Sequence, residues 1–287
     1  MIYWKDNPID ILLPKNLSLP KFYLMLLQFI EWNVSPEIFP GTWFPVRWYG
    51  LLFASGFFFG YLILTKAFKH EIKSPKEAIN LLDKLAMYML ITTIIGARLG
   101  HVLFYEPEYY FSNPLEIIKI WSGGLASHGA AIGILLGLWI FSKKTGKTFF
   151  WTLDRIVIVV ALAGMFIRLG NLMNSEIYGK PTDLPWAFIF VQDNNIPRHP
   201  TQIYEALCYL AIFFILHRIY WKNNGKPKPG LVFGLFLVML FSARFFIEFL
   251  KEPQVGFENS MALNMGQWLS IPFVIMGFII IFMKNKS

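Results

Sequence analysis

Apolar residues run along the chain in long blocks, separated by short stretches rich in Lys, Arg, Pro and Gly. Seven blocks are long enough to cross about 30 Å of hydrocarbon as helices. They are 47–66, 84–105, 124–142, 153–171, 203–221, 230–250 and 265–283. The pattern predicts an all-α polytopic membrane protein with seven transmembrane helices. The stretch 22–30 is apolar but too short to span, which predicts an interfacial or re-entrant piece. The chain thus divides into an N-terminal interfacial segment, 1–46, and a seven-helix domain, 47–287.

Charge in the connecting loops sets the orientation. The loops at 66–84, 142–152 and 217–230, with the tail after 283, hold 14 Lys and Arg, whereas those at 105–123, 171–202 and 250–264 hold only 4. Positive loops stay on the cytoplasmic side, so seven spans put the N-terminus outside and the C-terminus in the cytoplasm. Residues Met1 to Asp6 show neither the basic start nor the apolar core of a cleavable signal, which leaves insertion to the first span. The outer loop 171–202 carries Trp186, Phe188 and Phe190 among Pro181, Pro185 and Pro197. A connector of that length usually has a task of its own, and a small lobe outside the membrane is expected there.

Composition sharpens this picture. Of 287 residues 55% are hydrophobic and only 15% charged, against about 25% charged in a soluble domain. The net charge of +8 is dispersed over loops rather than gathered on one stripe, which argues against a nucleic-acid partner. The single cysteine, Cys208, excludes an internal disulfide or a cysteine metal cluster, and reads as a small packing residue. With no zinc or calcium ligand spacing and no P-loop, no metal or other cofactor is expected.

Arg168 and Arg244 both fall inside apolar blocks. A guanidinium in hydrocarbon costs roughly 2.5–3.5 kcal/mol on insertion scales. Each therefore needs an anion, and lipid phosphates are the abundant anions of a bilayer. Both lie toward the outer ends of their helices, Arg244 on the order of 9 Å from its end at about 1.5 Å per residue. Arg47, Tyr49, Arg98, His101, His128, Asn171, Asn174, Glu176, Gln202, Tyr204, Glu205 and Glu248 fall near the same level. The pattern predicts a shallow polar chamber open to the outer leaflet, unlike the midplane sites of transporters.

Blander roles compete for several of these residues. An arginine near a helix end can snorkel to the headgroups, which applies most to Arg47 and Arg98. Glu248 shares a helix face with Arg244 at i,i+4 and can simply neutralise it. His101 can hold helices together as readily as do chemistry. His128 differs, because Gly123, Gly124 and Gly129 bare the backbone around it and permit close approach of a ligand.

Several segments match the motifs of a known family. Residues 121–129, with Trp121, Gly123, Gly124, His128 and Gly129, follow W-x-G-G-x-x-x-H-G; residues 168–179, with Arg168, Gly170, Asn171, Asn174, Glu176, Tyr178 and Gly179, follow R-x-G-N-x-x-N-x-E-x-Y-G. Supporting segments are 47–50, 96–100, 199–206, 244–249 and 265–270. From residue 47 to about 272 the chain resembles, in content and order, the bacterial prolipoprotein diacylglyceryl transferases. It departs from the family's usual pattern at Arg47, where His is common, and at Leu240, where Tyr is common.

The resemblance implies an enzyme of the bacterial inner membrane, acting at its outer face. A diacylglyceryl group would move from phosphatidylglycerol to the thiol of a lipobox cysteine in a lipoprotein precursor, leaving a thioether and releasing glycerol phosphate. Its expected partners are phosphatidylglycerol, those precursors and membrane lipid. The implied catalytic set is His128, Arg168, Arg244, Glu205 and Glu248; the implied substrate-binding set is Tyr49, Arg98, Asn171, Asn174, Glu176, Gly179 and Tyr204.

Guanidinium forks suit the phosphate, so Arg168 and Arg244 are expected to clamp it. Asn171 can donate to the phosphate or the glycerol hydroxyls, and Tyr49 and Tyr204 can orient the headgroup. Glu176 is expected to hold an arginine or the lobe rather than to touch substrate. The thiol, with a free pKa of about 8.5, must lose its proton. His128 is the first candidate for base, Glu205 and Glu248 are alternatives, and an arginine that merely lowers the thiol's pKa is a third. Two rival functions remain open from the residues: a small-anion transporter or channel, and a membrane protein that only binds anionic lipid.

Overall fold

The computed structural model describes residues 29–43, 46–120, 123–252 and 261–285. Eight helices follow in chain order: α1 (Trp48–Glu71), α2 (Pro75–Phe104), the short α3 (Pro107–Ser112), α4 (Ser127–Thr145), α5 (Phe149–Met173), α6 (Thr201–Lys222), α7 (Leu231–Ile247) and α8 (Met265–Asn285). Single turns of 3-10 helix occupy Pro114–Ile118 and Glu248–Leu250. Three short strands complete the described chain: β1 (Ile30–Trp32), β2 (Phe188–Phe190) and β3 (Pro197–Arg198). The expected interfacial piece at 22–30 lies outside the described residues up to 28, and Ile30 opens β1.

Among the described residues six helices are long and apolar enough to cross a membrane: α1, α2, α5, α6, α7 with its 3-10 turn, and α8. Helix α4, the counterpart of the expected span 124–142, is not among them. It has 19 residues, opens on Ser127-His128 and ends on Lys143-Lys144-Thr145, so its apolar stretch is short. It compensates by proximity. Gly129, Gly133 and Gly137 face Gly96, Gly100 and Thr92 of α2, and a Cβ built on Gly100 would stand 2.6 Å from the Cα of Gly129. Only hydrogen fits there, and such small-residue seams are how helices pack where lipid removes the hydrophobic drive between them.

The helices begin and end where local chemistry dictates. Ser74 caps α2 by accepting from Glu77 N, with Pro75 at the first helical position. Thr148 caps α5 through Trp151 N at 3.2 Å. The observed helices α1, α2 and α5 overrun their apolar blocks at the ends carrying the basic loops, because a helix satisfies its own backbone whether lipid or headgroups surround it.

The tightly packed apolar core fills one half of the bundle only. It joins Leu64 and Phe68 of α1, Leu82 and Leu85 of α2, Leu138 and Phe141 of α4, Leu153–Leu162 of α5, Tyr209–Tyr220 of α6 and Val232–Leu237 of α7. Most of these lie toward the basic loops, while Tyr209 reaches the Arg168 side. At that end Glu71 accepts from Arg155 Nε (2.7 Å), Arg155 Nη2 (2.5 Å), Trp151 Nε1 (3.0 Å) and the Tyr220 hydroxyl. Asp154 caps α7 by accepting from Gly230 N at 2.7 Å and Phe233 N at 2.8 Å. The opposite half of the bundle is left for the polar residues described below.

The loop 171–202 contributes β2 and β3 to a small three-stranded lobe that β1 completes. Strand β1 pairs in parallel with β2, in the register Ile30 to Phe188 and Trp32 to Phe190, and β2 pairs antiparallel with β3. Phe188, Phe190 and Leu172 form its core, packed by Trp32, Tyr178 and Ile203. The Trp32 indole donates to Leu172 O at 3.0 Å and ties the lobe to the end of α5.

Candidate active site

The signature 168–179 spans the end of α5 and a strained turn. Ser175 and Ile177 both take positive φ, 53° and 58°, which a β-branched residue such as Ile adopts only when its surroundings force it. The turn swings Glu176 back under the helix end. There its Oε1 accepts from Asn171 Nδ2 at 2.7 Å and Asn174 Nδ2 at 3.3 Å, and its backbone carbonyl accepts from Gln202 Nε2 at 2.7 Å. Asn171 turns its Oδ1 to Arg168 Nη1 at 3.2 Å. The signature is thus one connected unit, Arg168 to Asn171 to Glu176, with Asn174 beside it.

Arg168 also faces α6. Its Nε lies 3.1 Å from Glu205 Oε2, and it hydrogen-bonds Tyr209 one turn further along α6. Glu205 has no exposure to solvent. A carboxylate removed from water needs compensating charge, and a second cation supplies it: Lys251 Nζ stands 3.0 Å from Glu205 Oε1. Lys251 also reaches Glu248 Oε2 at 3.3 Å, three residues back. Arg168, Glu205, Lys251 and Glu248 therefore form a row of alternating charge across α5, α6 and the end of α7.

Arg244 stands apart from that row. Its Nε is buried without an acceptor, and no ion pair holds its guanidinium among the described residues. It is close enough to the row for Tyr209 to lie in the fields of both Arg168 and Arg244. Tyr49 joins from α1. Its ring packs on Gly170, where a Cβ would meet the ring carbon at 2.8 Å, and it lies within electrostatic reach of Glu176 and Arg168.

Gly179 is where the lobe meets the row. It pairs with Lys251 in an isolated antiparallel bridge, while Gly179 N donates to His199 O (2.8 Å) and Lys180 N to Leu250 O (2.7 Å). A Cβ on Gly179 would stand 2.6 Å from Leu250 O. Gly179 thereby acts through backbone approach, fixing the strand that carries Lys251. Arg198 closes the same seam through Glu252 Oε1 at 2.5 Å. Tyr204 sits on the lobe side, where its hydroxyl accepts from Trp186 Nε1 at 2.9 Å and meets His199 Nδ1 at 3.4 Å. Burial holds His199 below the ordinary imidazole pKa, so it stands neutral near pH 7.

Two expected site residues make no hydrogen bond or ion pair to the charged row among the described residues. Arg98 is buried, and its guanidinium donates to the carbonyls of Glu116 (2.5 Å), Ile117 (2.8 Å), Gly123 (2.7 Å) and Gly124 (3.1 Å) while resting on Tyr110. These bonds give Arg98 a task in folding the α2–α4 connection. Gly123 and Gly124 serve that fold: both take positive φ, and a Cβ on Gly124 would strike Arg98 Nη1 at 2.6 Å. His128, in the first turn of α4, is exposed and has no hydrogen-bond partner among the described residues. No hydrogen bond or ion pair links it to the Arg168 row. Trp121 and Ser122 of its motif lie outside the described residues. Arg47 is exposed at the start of α1, and Leu240 packs on the apolar core.

Lys251 and Tyr209 are the members that sequence patterns did not single out. Lys251 counted only as the lone cation of an outer loop; its one signal was the i,i+3 spacing from Glu248. Tyr209 lies four residues after Glu205, on the same face of α6.

The family model described as Prolipoprotein diacylglyceryl transferase matches residues 36–283. The chain belongs to that family. It is 47% identical over 261 residues to the phosphatidylglycerol–prolipoprotein diacylglyceryl transferase of Chloroherpeton thalassium, covering 91% of this chain and 96% of that protein. The protein of the same name from Tolumonas auensis is 45% identical over 257 residues, 89% of this chain and 98% of that one. For the namesake from Porphyromonas gingivalis the figures are 45% over 280 residues, 92% and 98%. The diacylglyceryl transferase family match therefore takes in every residue of the charged row as well as β2 and β3, and begins after β1.

Proposed function

We propose that this chain transfers the diacylglyceryl group of phosphatidylglycerol to the lipobox cysteine thiol of a lipoprotein precursor, without a cofactor, in the inner membrane of a bacterium. Seven helices cross the bilayer: the six apolar ones and α4, which the glycine seam holds against α2. The basic loops face the cytoplasm, so the N-terminus and the lobe lie outside, in the periplasm, and the tail lies inside. The charged row then sits beneath the outer headgroups.

Arg244 carries this reading: a cation inside an apolar helix, with its Nε buried and no anion paired to it among the described residues. An uncompensated charge there is expensive, and a lipid phosphodiester is the anion at hand. Arg168, already half-committed to Glu205, supplies the second fork. Asn171, Asn174 and Glu176 hold Arg168 in place, and Tyr49 and Tyr204 flank the headgroup.

In the reaction the thiol sulfur attacks the glycerol carbon that bears the phosphodiester oxygen. The S–C bond forms as the C–O bond breaks, its electrons pass to the phosphate oxygen, and glycerol phosphate leaves between the arginines. The thiol proton passes to His128, whose exposed ring is free to take it, whereas Glu205 and Glu248 are held in ion pairs. Holding both reactants in line removes several kcal/mol of barrier.

The test is purified protein in phosphatidylglycerol vesicles with a cysteine-containing lipobox peptide, read by mass spectrometry. A thioether-linked diacylglyceryl peptide is expected from the wild type and none from Arg168→Ala or Arg244→Ala, both still inserted. Wild-type turnover in either variant, or no thioether from the wild type, overturns the proposal. An anion channel would instead give flux across sealed vesicles and no modified peptide.

A further inference from the structure

We infer that Lys251 is a positioning residue, which keeps Arg244 available to the lipid phosphate by holding away the carboxylate that would otherwise neutralise it. This rests on the transferase reading above and concerns the same site. Arg244 and Glu248 are four residues apart at the end of α7, the spacing at which opposite charges pair on a helix face. In this structure they do not pair. Glu248 Oε2 stands 3.3 Å from Lys251 Nζ as an ion pair without a hydrogen bond, and Arg244 Nε remains without an acceptor.

Three features hold Glu248 in that place. Gly266 leaves the space its carboxylate occupies, since a Cβ there would stand 2.5 Å from Glu248 Cδ. Asn264 Nδ2 donates to the Glu248 carbonyl at 3.2 Å. Lys251 itself is anchored from both sides, by the backbone bridge to Gly179 and by Glu205 Oε1 at 3.0 Å. With one ammonium shared between two carboxylates, Arg244 is left without an ion-pair partner among the described residues. Without Lys251, Glu248 would be a buried carboxylate left to the field of Arg168 and to Arg244, the cation four residues back on its own helix.

Lys251→Met keeps the length of the side chain and removes its charge. Kinetics with phosphatidylglycerol in mixed micelles are expected to show a roughly ten- to hundredfold rise in KM for the lipid, the scale of one lost charged hydrogen bond. The change in kcat is expected to be smaller. Lys251→Arg should restore KM. The double variant Lys251→Met/Glu248→Gln should also recover much of it, because the competing carboxylate is gone.

A purely structural role would give neither the KM-against-kcat split nor rescue by a second charge removal. An unchanged KM in Lys251→Met, or a double variant no better than the single one, overturns the inference while wild-type turnover leaves the transferase reading standing. If Lys251→Met does not insert, Lys251→Gln carries the same two expectations.

Discussion

Gly179→Ala tests how the lobe governs the site. The added methyl would stand 2.6 Å from Leu250 O, 2.7 Å from His199 Cβ and 2.7 Å from Thr201 Cγ2. These neighbours sit on two segments and one of them is a backbone carbonyl, so no single side chain can rotate away. Overpacking of this kind costs about 1–3 kcal/mol. Relief by parting the strands would break the Lys180 N to Leu250 O bond at 2.7 Å, about another 1 kcal/mol. The parted strand is the one that carries Lys251, so its ammonium would withdraw from Glu205 and Glu248. A misplacement near 1 Å can cost about a hundredfold in rate, and a loss of that order in kcat/KM is expected. Thermal unfolding in detergent, followed by tryptophan fluorescence, should show a fall in Tm. An Ala variant with wild-type Tm and wild-type turnover would refute the claim that close approach at Gly179 sets the row.

Four other outcomes follow from the geometry. Glu205→Gln leaves Arg168 and Lys251 facing each other without the fully buried carboxylate between them, and breaking a buried pair costs about 3–5 kcal/mol; little correctly inserted, active protein is expected by gel filtration and peptide assay. Arg98→Met should loosen the 116–124 connection, seen as faster proteolysis there, because it removes the donors of four carbonyls. Arg155→Met should lower Tm while leaving KM for phosphatidylglycerol unchanged, since the Glu71 cluster sits at the far end of the bundle. The last concerns alkaline pH. Burial, with the hydrogen bond to Asp193, pushes the Tyr178 phenol up from 10.0 to about 12. A folded pKa above the unfolded one gives stability that is complete below pH 10.0 and is lost as pH rises toward 12. The lobe should loosen in that window, and Tyr178→Phe should remove the dependence in a fluorescence titration.

Some of this was legible in the residue order, for identifiable reasons. Hydrocarbon thickness fixes how long an apolar run must be, so α1, α2, α5, α6, α7 and α8 could be placed to within a few residues except at the start of α2. Arg168, Glu205 and Glu248 betrayed themselves as charges within apolar runs. The R-x-G-N-x-x-N-x-E-x-Y-G spacing could be recognised because a local turn brings Arg168, Asn171, Asn174 and Glu176 together within twelve residues. Helix α4 was harder: its polar ends shorten the apolar run, and its place depends on a glycine seam with α2 that no single segment displays.

Other assignments needed distances between segments far apart in the chain. Arg98 and Arg168 look alike as arginines near helix ends, yet one folds a loop by binding four carbonyls and the other faces Glu205. Lys251 looked like a loop cation until the bridge to Gly179, 72 positions earlier in the numbering, put it between two carboxylates. Strand β1 likewise found its partner in a lobe more than 150 residues away. Composition and periodicity report the solvent each segment meets, lipid or water, because that choice is made residue by residue. Which charge meets which is settled when helices close on one another, since Coulomb and hydrogen-bond energies depend on distances of a few ångströms that the order of residues does not contain.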